Sequence, residues 1–366
     1  MICFNIGAIG FRITLRLPDA ENMSLYEDDS VNLAYKSFIS ISKTPFRISL
    51  FGGGSDYPKH ALRYGGAVLA GAINKYCYTT YRQMPQDFGA KYRIRYTITE
   101  NQSLISNIQH PAVREIFNYY KINQPTEMNH SSDLPSKSGM GSSSSFVVGL
   151  VSNIEASRGN NLQKYDLARL AIELEQTWIK ENVGYQDAVT TTFGGVNLVK
   201  FSPIDADFEV HSLEQNRVFL SYIAKNLLLV RIPIERIASE IAKAQIEHIE
   251  KHTDDLTELG QMAEEMYRLI ENESLSIQEL GLALDDSWRI KKRQSNLISN
   301  QLIDDFYSEA KVNGALGGKL SGAGGGGFML LVVPENLQKE FRRFFSKMSI
   351  VSFDWDFAGN QNVKVF

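Results

Sequence analysis

The sequence predicts an α+β protein of two domains, with an active site in the cleft between them. Its 366 residues are enough for two domains with cores of their own. Strand-like segments come early in the chain, whereas three long helical patterns follow one another in the second half. Proline, aspartate and polar residues accumulate at 201–216, which predicts the domain boundary there. The predicted parts are an extension at 1–38, an N-terminal domain at 39–210 and a C-terminal domain at 211–366.

The N-terminal half mixes strand-like and helix-like patterns. Residues 38–51 alternate apolar and polar side chains, which predicts a strand that runs into a glycine turn. Tyrosine, threonine and isoleucine enrich 76–84 and 92–99, so both are predicted as strands. Pro111 is placed to begin a short helix. The helices predicted in this half cover residues 112–120, 142–157 and 163–181.

The C-terminal half reads as helices framed by strands. Asn313-Gly314 is predicted to end a helix, because glycine is the usual residue just beyond a helix C-terminus. The two strands at 316–321 and 328–333 are predicted to flank a glycine loop. The other predicted strands are 196–201 and 219–230. The long predicted helices are 235–250, 256–271 and 277–295.

The composition is ordinary for a soluble globular protein. Apolar residues make up 43% of the chain and charged residues 22%. The net charge of −4 argues against nucleic acid as a partner, and the apolar runs are too short to cross a membrane. Cys3 and Cys77 give neither a disulfide framework nor a zinc spacing, so we expect a cytoplasmic protein. Residues 1–17 lack the cationic start and cleavage site of a signal peptide.

A serine- and glycine-rich segment describes a phosphate-binding loop. Residues 136–145 read S-K-S-G-M-G-S-S-S-S and lie where a helix is predicted to begin. Gly139 and Gly141 allow a tight turn, and the first amides of a helix attract anions. The pattern is neither a Walker A motif nor a dinucleotide-binding G-x-G-x-x-G. The simpler alternative is a polar linker that ends in a serine helix cap.

Two further glycine-rich segments complete a set of three. Residues 44–58 read T-P-F-R-I-S-L-F-G-G-G-S-D-Y-P, and residues 319–328 read K-L-S-G-A-G-G-G-G-F. The three motifs in this order resemble the GHMP kinases, the superfamily of galactokinase, homoserine kinase and mevalonate kinase. The resemblance runs from about Ser40 to the C-terminus. It implies an N-terminal domain like ribosomal protein S5 domain 2, a ferredoxin-like C-terminal domain, and ATP with Mg²⁺.

Other segments resemble one group of that superfamily, the D-glycero-D-manno-heptose 7-phosphate kinases. They read H-P-A-V-R-E at 110–115, G-Y-Q-D-A-V-T-T-T-F-G-G at 184–195 and S-W-R-I-K-K at 287–292. This resemblance implies phosphorylation of the anomeric hydroxyl of a heptose phosphate. ATP is then expected at the loop formed by Ser136, Lys137, Ser138, Gly139, Met140, Gly141, Ser142, Ser143 and Ser144.

Asp187 and Arg47 are the predicted catalytic residues. Asp187 matches the aspartate that acts as base in galactokinase-like members, and a carboxylate near a sugar hydroxyl can take its proton. Arg47 matches the basic residue of the first motif and would stabilise charge on the acceptor oxygen. The alternatives are a helix N-terminal carboxylate for Asp187 and a solvent-facing or structurally paired strand residue for Arg47.

A magnesium site is predicted from the same resemblance. Glu175 lies twelve residues before Asp187, the spacing of the family's metal glutamate. With Ser143 or Ser144 it would supply the oxygen ligands that Mg²⁺ prefers. Glu173 and Glu181 are alternatives, and a solvated helix glutamate is the ordinary expectation for any of them.

The acceptor is predicted to contact the glycine turn and cations of the C-terminal half. Asp56 on that turn could accept paired sugar hydroxyls, although aspartate is also common in turns for structural reasons. Arg236 and Lys292 are predicted to bind the distal phosphate, Lys292 within the basic run Lys291-Lys292-Arg293. The full predicted acceptor site is Gly53, Gly54, Asp56, Tyr57, Arg236, Lys292, Gly324 and Gly325.

Three readings of the function stay open at this point. A heptose phosphate kinase leads, and a kinase for fucose, galactose or a mevalonate-type acceptor is the alternative of the same class. A silent sugar or nucleotide sensor on the same fold is the third, but Arg47, Glu175 and Asp187 all being present disfavours it. The predicted partners are a sugar phosphate and ATP, and a homodimer is left open.

Overall fold

The computed structural model describes residues 38–85, 89–135, 138–203, 207–233 and 238–365. In these ranges the chain forms an eight-stranded sheet and a four-stranded sheet with helices packed against them. This combination confirms the predicted α+β class. The strands are β1 Ile39–Phe51, β2 Gly66–Gln83, β3 Tyr92–Arg95, β4 Thr99–Gln102, β5 Thr126–Ser132, β6 Val196–Phe201, β7 Phe208–Ser212, β8 Leu227–Ile232, β9 Gly317–Leu320, β10 Gly327–Val332, β11 Ile350–Val351 and β12 Gln361–Val365.

The predicted helices are present, with ends that differ by a few residues. The pattern predicted at 163–181 is α-helical only to Glu173 and continues as a wider π-helical turn, Leu174–Ile179. Such turns are rare and often lie at functional sites. The α-helices are α1 Pro58–Tyr64, α2 Pro111–Tyr120, α3 Ser142–Ser157, α4 Lys164–Glu173, α5 Gln186–Phe193, α6 Arg217–Lys225, α7 Ala238–Glu247, α8 Thr253–Glu271, α9 Ile277–Arg293, α10 Gln301–Val312 and α11 Gln338–Phe344.

The larger sheet carries the N-terminal half of the chain and one strand from its end. Its order is β12-β1-β2-β5-β3-β4, and β6 and β7 extend it from the other end of β2. Helix α3 packs across β1 and β2. Strand β12 pairs antiparallel with the start of β1, where Val365 lies opposite Ile39. The C-terminal strand therefore covers an edge that the first sheet would otherwise expose.

The smaller sheet belongs to the C-terminal half. Its order is β11-β8-β10-β9 with all neighbours antiparallel. Numbered in chain order, this is 4-1-3-2, with helices after the first and third strands, which is the ferredoxin-like arrangement that the resemblance implied. Strand β7 is in the first sheet and β8 in the second, so the passage between sheets falls between them. The predicted division at residue 210 stays a prediction.

Two predicted strands are wrong. The strand predicted at 92–99 ends at Arg95, and a bend at 96–98 separates it from β4, which begins at Thr99. The sequence predicts a single strand at 219–230, but the chain forms α6 as far as Lys225 and begins β8 at Leu227. The buried residues of α6 are Leu220, Ile223 and Ala224, which have the i, i+3, i+4 spacing of a helix face. A short apolar run fits the repeat of a helix as well as that of a buried strand, and tertiary packing decides which of the two forms.

The first residues of β1 bury their polar side chains and not their apolar ones, whereas further along the strand the apolar Phe46, Ile48 and Leu50 are buried. Ser40 and Ser42 are fully buried, whereas Ile41 is 38% exposed. The serines are hydrogen-bonded within the protein, because Ser40 Oγ donates to Asn153 Oδ1 of α3 at 2.7 Å and Asn153 Nδ2 donates to Ser42 Oγ at 3.2 Å. Alternation thus predicted the strand but not which face the core would cover.

None of the helices in the described ranges combines the length and apolar content that crossing a bilayer requires. The predicted extension at 1–38 lies outside the described residues except for Phe38. Its role and the cytoplasmic location stay predictions.

Candidate active site

The three glycine-rich segments meet at one cleft. Gly53 and Gly54 contribute from the turn after β1, and Gly322 contributes from the loop between β9 and β10. The serine-glycine loop before α3 lies against that last loop, because a Cβ built on Gly139 would be 2.6 Å from Ser321 O. The residues that line the cleft are Arg47, Ser49, Gly53, Gly54, Asp56, Tyr57, Gly139, Gly141, Ser142, Ser143, Glu181, Asn182, Val183, Gly184, Gln186, Asp187, Ala242, Gln245, Lys291, Gln294, Lys319, Gly322 and Ala323.

The serine-glycine loop presents an open helix N-terminus to this cleft. Gly139 and Gly141 have φ values of 74° and 72°, a region that favours glycine. Gly141 precedes α3, which begins at Ser142, and within the described part of the chain no side-chain cap is bonded to its first amides. Ser142 and Ser143 line the cleft beside these amides. The arrangement can bind the phosphates of a nucleotide through amides and hydroxyls.

Several residues of the predicted ATP loop do not reach the cleft. Ser138 and Met140 are buried, and the Met140 side chain belongs to the hydrophobic core. Their backbone carbonyls instead fix the loop, because Met140 O accepts from Arg47 N and Ser138 O accepts from Phe328 N. Ser136 and Lys137 lie outside the described residues.

Arg47 and Asp187 form a buried, two-pronged ion pair in the cleft wall. Arg47 Nε donates to Asp187 Oδ1 and Arg47 Nη2 donates to Oδ2, each at 2.7 Å. Arg47 is 5% exposed and Asp187 6% exposed. The reading of Arg47 as a solvent-facing residue is therefore wrong. The third guanidinium nitrogen, Nη1, donates to Gly139 O at 2.7 Å, so one side chain connects the carboxylate to the serine-glycine loop.

Asp56 holds the glycine turn against the helix that carries Asp187. Its carboxylate accepts from Gly54 N at 2.9 Å, Gln186 N at 3.0 Å and Gln186 Nε2 at 2.9 Å. Burial raises the pKa of Asp56. A Cβ on Gly184 would lie 2.0 Å from Asp56 Oδ2, so only glycine allows this approach. Asp56 lines the cleft, but its contacts within the chain position α5.

Glu175 is not a solvated helix residue, which was the ordinary expectation for a single glutamate on a helix. It is 1% exposed, in the π-helical turn, and accepts from Ser144 Oγ at 2.6 Å. Burial raises the pKa of its carboxyl to about 8. Of the two alternatives, Glu173 is exposed whereas Glu181 lines the cleft.

Two buried lysines of the cleft wall were predicted only as members of longer segments, Lys291 in the basic run at 291–293 and Lys319 in the third glycine motif. Lys291 is 8% exposed and Lys319 is 4% exposed. Burial lowers the pKa of Lys319 to about 7 and that of Lys291 well below its usual value. Helical spacing could have pointed to Lys291, which continues the buried face of Leu280 and Leu284 on α9. Lys319 opens the third glycine motif, but no periodicity marks it as buried.

Some predicted acceptor residues lie elsewhere. Lys292 does not line the cleft, and its ammonium pairs with Asp304 at 2.9 Å. Gly324 and Gly325 are buried against Ile298, whose carbonyl accepts from Gly325 N at 2.9 Å. Arg236 lies outside the described residues. Gly53, Gly54 and Tyr57 do line the cleft, and Tyr57 Oη donates to Gln245 Oε1 at 3.3 Å.

Comparison with protein families matches two domain models. The model described as the GHMP kinases N terminal domain matches residues 106–195, and the model described as GHMP kinases C terminal matches residues 246–350. Together they cover more than half of the chain. The first match ends just after Asp187, and the second includes the third glycine loop.

Comparison with individual proteins also finds sugar and mevalonate kinases. The chain is 29% identical over 317 residues to D-glycero-alpha-D-manno-heptose 7-phosphate kinase from Campylobacter jejuni, which covers 82% of this chain and 93% of that protein. It is 23% identical over 342 residues to a mevalonate kinase from Methanocaldococcus jannaschii, covering 86% and 98%. A crystal structure of a D-glycero-D-manno-heptose 1-phosphate kinase from Bacteriodes thetaiotaomicron superposes with a TM-score of 0.71 at 22% identity, covering 89% and 99%. At that identity the superposition shows a shared fold.

Proposed function

Because the chain belongs to the GHMP kinases, a family of ATP-dependent phosphotransferases, we propose that it phosphorylates the anomeric hydroxyl of D-glycero-D-manno-heptose 7-phosphate. The observation that carries the chemistry is the buried Arg47–Asp187 pair, tied to the serine-glycine loop through Gly139 O. The choice of acceptor is supported by the relative named as a heptose 7-phosphate kinase.

In this proposal Asp187 receives the proton of the acceptor hydroxyl. A carboxylate oxygen is a suitable acceptor when the hydroxyl lies within hydrogen-bond reach. Arg47 holds both carboxylate oxygens at 2.7 Å, which fixes the direction in which their remaining lone pairs point. The same guanidinium balances negative charge on the acceptor oxygen as its bond to phosphorus forms.

The nucleotide is proposed to bind at the start of α3. Its phosphates would accept hydrogen bonds from the amides after Gly141 and from the hydroxyls of Ser142 and Ser143. Because Gly139 also contacts the third glycine loop, the loop conformation is supported from two sides. Preorganised donors of this kind stabilise charge without having to reorient during the reaction.

A magnesium ion fits the residues behind this loop. Glu175 and Ser144 present a carboxylate and a hydroxyl, the hard oxygen ligands that Mg²⁺ takes. Among the described residues no cationic side chain pairs with Glu175, so the buried carboxylate lacks the charge that a divalent ion would supply. Glu175 and Ser144, with Ser143 at the cleft surface, would hold the ion. When bound, it would neutralise charge on the ATP phosphates.

The acceptor is proposed to lie beside the glycine turn, within reach of Asp187. Gly53, Gly54 and Tyr57 would contact the sugar, and Gln245, which accepts from Tyr57 Oη and donates to Ala323 O, holds Tyr57 beside the third glycine loop. Arg236 remains proposed for the distal phosphate. Lys292 has no part in that role, because its ammonium is already paired with Asp304.

The test is a coupled assay of ADP release over a panel of acceptors. We expect D-glycero-D-manno-heptose 7-phosphate to give the highest kcat/KM, with at least about a tenfold loss for the unphosphorylated heptose, the cost of one lost charge-assisted phosphate contact. Fucose, galactose and mevalonate complete the panel. Equal activity on heptose and its 7-phosphate, or a higher kcat/KM for mevalonate, would contradict the proposed acceptor.

A further inference from the structure

Among the residues that the structure describes, Lys291 and Lys319 are buried lysines of the cleft wall that form no ion pair. Lys291 Nζ donates to Leu320 O at 3.1 Å and to Gly322 O, and Lys319 Nζ donates to Leu50 O at 3.0 Å. Across the described ranges these carbonyls are their polar partners, and no carboxylate lies within ion-pair distance. An ammonium has three N–H donors, so Lys319 retains two and Lys291 one.

Burying an ammonium without a counter-charge is unfavourable. Burial and the nearby Arg47 disfavour both charges, and Lys319 acts further against Lys291. The Asp56 carboxylate favours the charge of Lys319, but this effect is smaller than that of burial. Such groups are retained at sites where an anionic ligand completes them. Gln294 supports this reading, because it lines the same cleft, is 7% exposed, and its Nε2 has no hydrogen-bond partner among the described residues.

The two lysines lie between the nucleotide loop and the acceptor turn. The carbonyl that holds Lys319 belongs to Leu50, two residues before the glycine turn begins at Gly52. One carbonyl that holds Lys291 belongs to Gly322, and a Cβ on Gly322 would lie 2.7 Å from Gly139 Cα in the serine-glycine loop. This is the part of the cleft through which a phosphoryl group has to pass.

We propose that Arg47, Lys291 and Lys319 form a seat of three basic side chains for the phosphoryl group as it moves from ATP to the acceptor, and that the negative charge of this group draws a proton onto each lysine. The acceptor oxygen bonds to the γ-phosphorus while the bond from that phosphorus to the β–γ bridging oxygen breaks. ADP keeps the electron pair of the bridging oxygen, and the hydroxyl proton goes to Asp187. The lysines stabilise the equatorial oxygens of the transferring group and the dianion that results.

The seat is built by the close approach of one helix and one strand. A Cβ on Gly317 of β9 would lie 1.9 Å from Gly281 O of α9, so the two elements touch through their backbones. This contact brings Lys291, on α9, beside Lys319, on β9. The inference rests on the proposed phosphoryl transfer but is independent of which sugar accepts the group.

The experiment measures nucleotide binding without any acceptor. Titration calorimetry with Mg²⁺ compares ADP with the ATP analogue that has an imido group between the β- and γ-phosphates. The variants are Lys291→Gln and Lys319→Gln, since glutamine keeps a donor for the carbonyls and removes the charge. The matched control is Lys164→Gln, because Lys164 Nζ also donates to two carbonyls, Phe193 O and Ala358 O, but does not line this cleft.

Each cleft variant is expected to keep the wild-type affinity for ADP and to lose about tenfold or more for the analogue. The control is expected to match the wild type with both ligands. The proposal would be overturned if a cleft variant lost equal affinity for ADP and for the analogue. It would also be overturned if the variants bound both ligands as the wild type does. Testing each lysine separately keeps the proposal falsifiable if one variant fails to fold.

A second measurement distinguishes whether the lysines contact the γ-phosphate of ATP or the phosphate that the acceptor already carries. In steady-state kinetics both variants should lower kcat about a hundredfold, while the ratio of kcat/KM for heptose 7-phosphate to that for heptose stays as in the wild type. Collapse of that ratio would assign the lysines to the acceptor's own phosphate and overturn the proposal. A protein that binds neither nucleotide would instead refute the proposed kinase function.

Discussion

At the scale of single residues, Asp187 is the group whose loss is most informative. Asparagine keeps its shape but cannot accept a proton, and it offers Arg47 only one acceptor oxygen. We expect Asp187→Asn to lower kcat by about 10²–10⁴-fold while ATP binding changes little. Asp166→Asn is the matched control. Asp166 lies in the first turn of α4, as Asp187 lies in the first turn of α5, but Asp166 is exposed and outside the cleft. Similar turnover in both variants would remove Asp187 from the mechanism.

Glu175 makes a second prediction at this scale. Glutamine has the same size but no charge to attract a cation, so Glu175→Gln should raise the Mg²⁺ concentration for half-maximal activity about tenfold or more. Excess Mg²⁺ should partly restore the rate. Glu173→Gln, two residues earlier and exposed, should behave as the wild type. If Glu181→Gln alone shifts the Mg²⁺ dependence, the ligand has been assigned to the wrong glutamate.

Lys319 links the active site to the pH dependence of stability. Its pKa is about 7 in the folded chain and 10.5 in its ordinary state. Between these values the unfolded chain holds the proton and the folded chain does not, so this group makes stability rise with pH. The free energy of unfolding of the wild type minus that of Lys319→Met should therefore increase by up to about 1.4 kcal/mol per pH unit. Urea unfolding at pH 7.5, 8.5 and 9.5 measures it, and a constant difference would contradict the shift.

The sequence identified the residues with strong local motifs and missed those that depend on packing. Arg47 and Asp187 follow from two motifs, and the structure brings them together at 2.7 Å. Helical spacing could have pointed to Lys291, but the burial of Lys319 could not be predicted, since lysine is rarely buried and no pattern reveals the contact between α9 and β9. The choice of Lys292 over Lys291 shows the same limit, because one helical position separates a surface ion pair from the cleft wall.

At the scale of elements, α9 and β9 depend on glycines at their contact. A Cβ on Gly281 would lie 2.5 Å from Leu316 Cβ, whereas one on Gly260, in α8, would lie 3.7 Å from its nearest neighbour. Gly281→Ala should therefore lower the free energy of unfolding by about 1–3 kcal/mol through overpacking. Gly260→Ala should raise it by up to about 1 kcal/mol, because alanine restricts the unfolded chain. Equal stabilities of the two variants in urea would argue against the close contact.

Helices and strands were predicted well where the apolar residues followed only one of the two repeats, 3.6 residues for a helix or two for a strand. They were predicted poorly where the residues fit both repeats. The helices at 256–271 and 277–295 are long and amphipathic, and the structure has Thr253–Glu271 and Ile277–Arg293. Residues 219–230 divide into a helix and a strand because the neighbouring sheet can pair only from Leu227 onward. Strand β2 begins ten residues before the predicted 76–84, at Gly66, where small residues concealed the pattern.

At the scale of the whole molecule, the ends of the described chain close one sheet. Asn362 of β12 donates to Ser40 Oγ at 2.8 Å and to Asn153 Oδ1 at 2.7 Å, so the C-terminal strand joins the polar contacts between β1 and α3. The net charge is −4, yet Arg47, Lys291 and Lys319 gather at one cleft. An acidic protein can therefore bind anionic substrates through local cations.

The position of the transferred phosphate is the most direct test of the proposed reaction. Phosphorus NMR would follow ATP and D-glycero-D-manno-heptose 7-phosphate with the wild type and with Asp187→Asn. We expect the γ-phosphate signal of ATP to decline as a phosphomonoester signal coupled to the anomeric proton appears, and we expect this signal to be nearly absent with Asp187→Asn. A product signal coupled to any other sugar proton, or ATP consumed without a new sugar phosphate, would contradict the account.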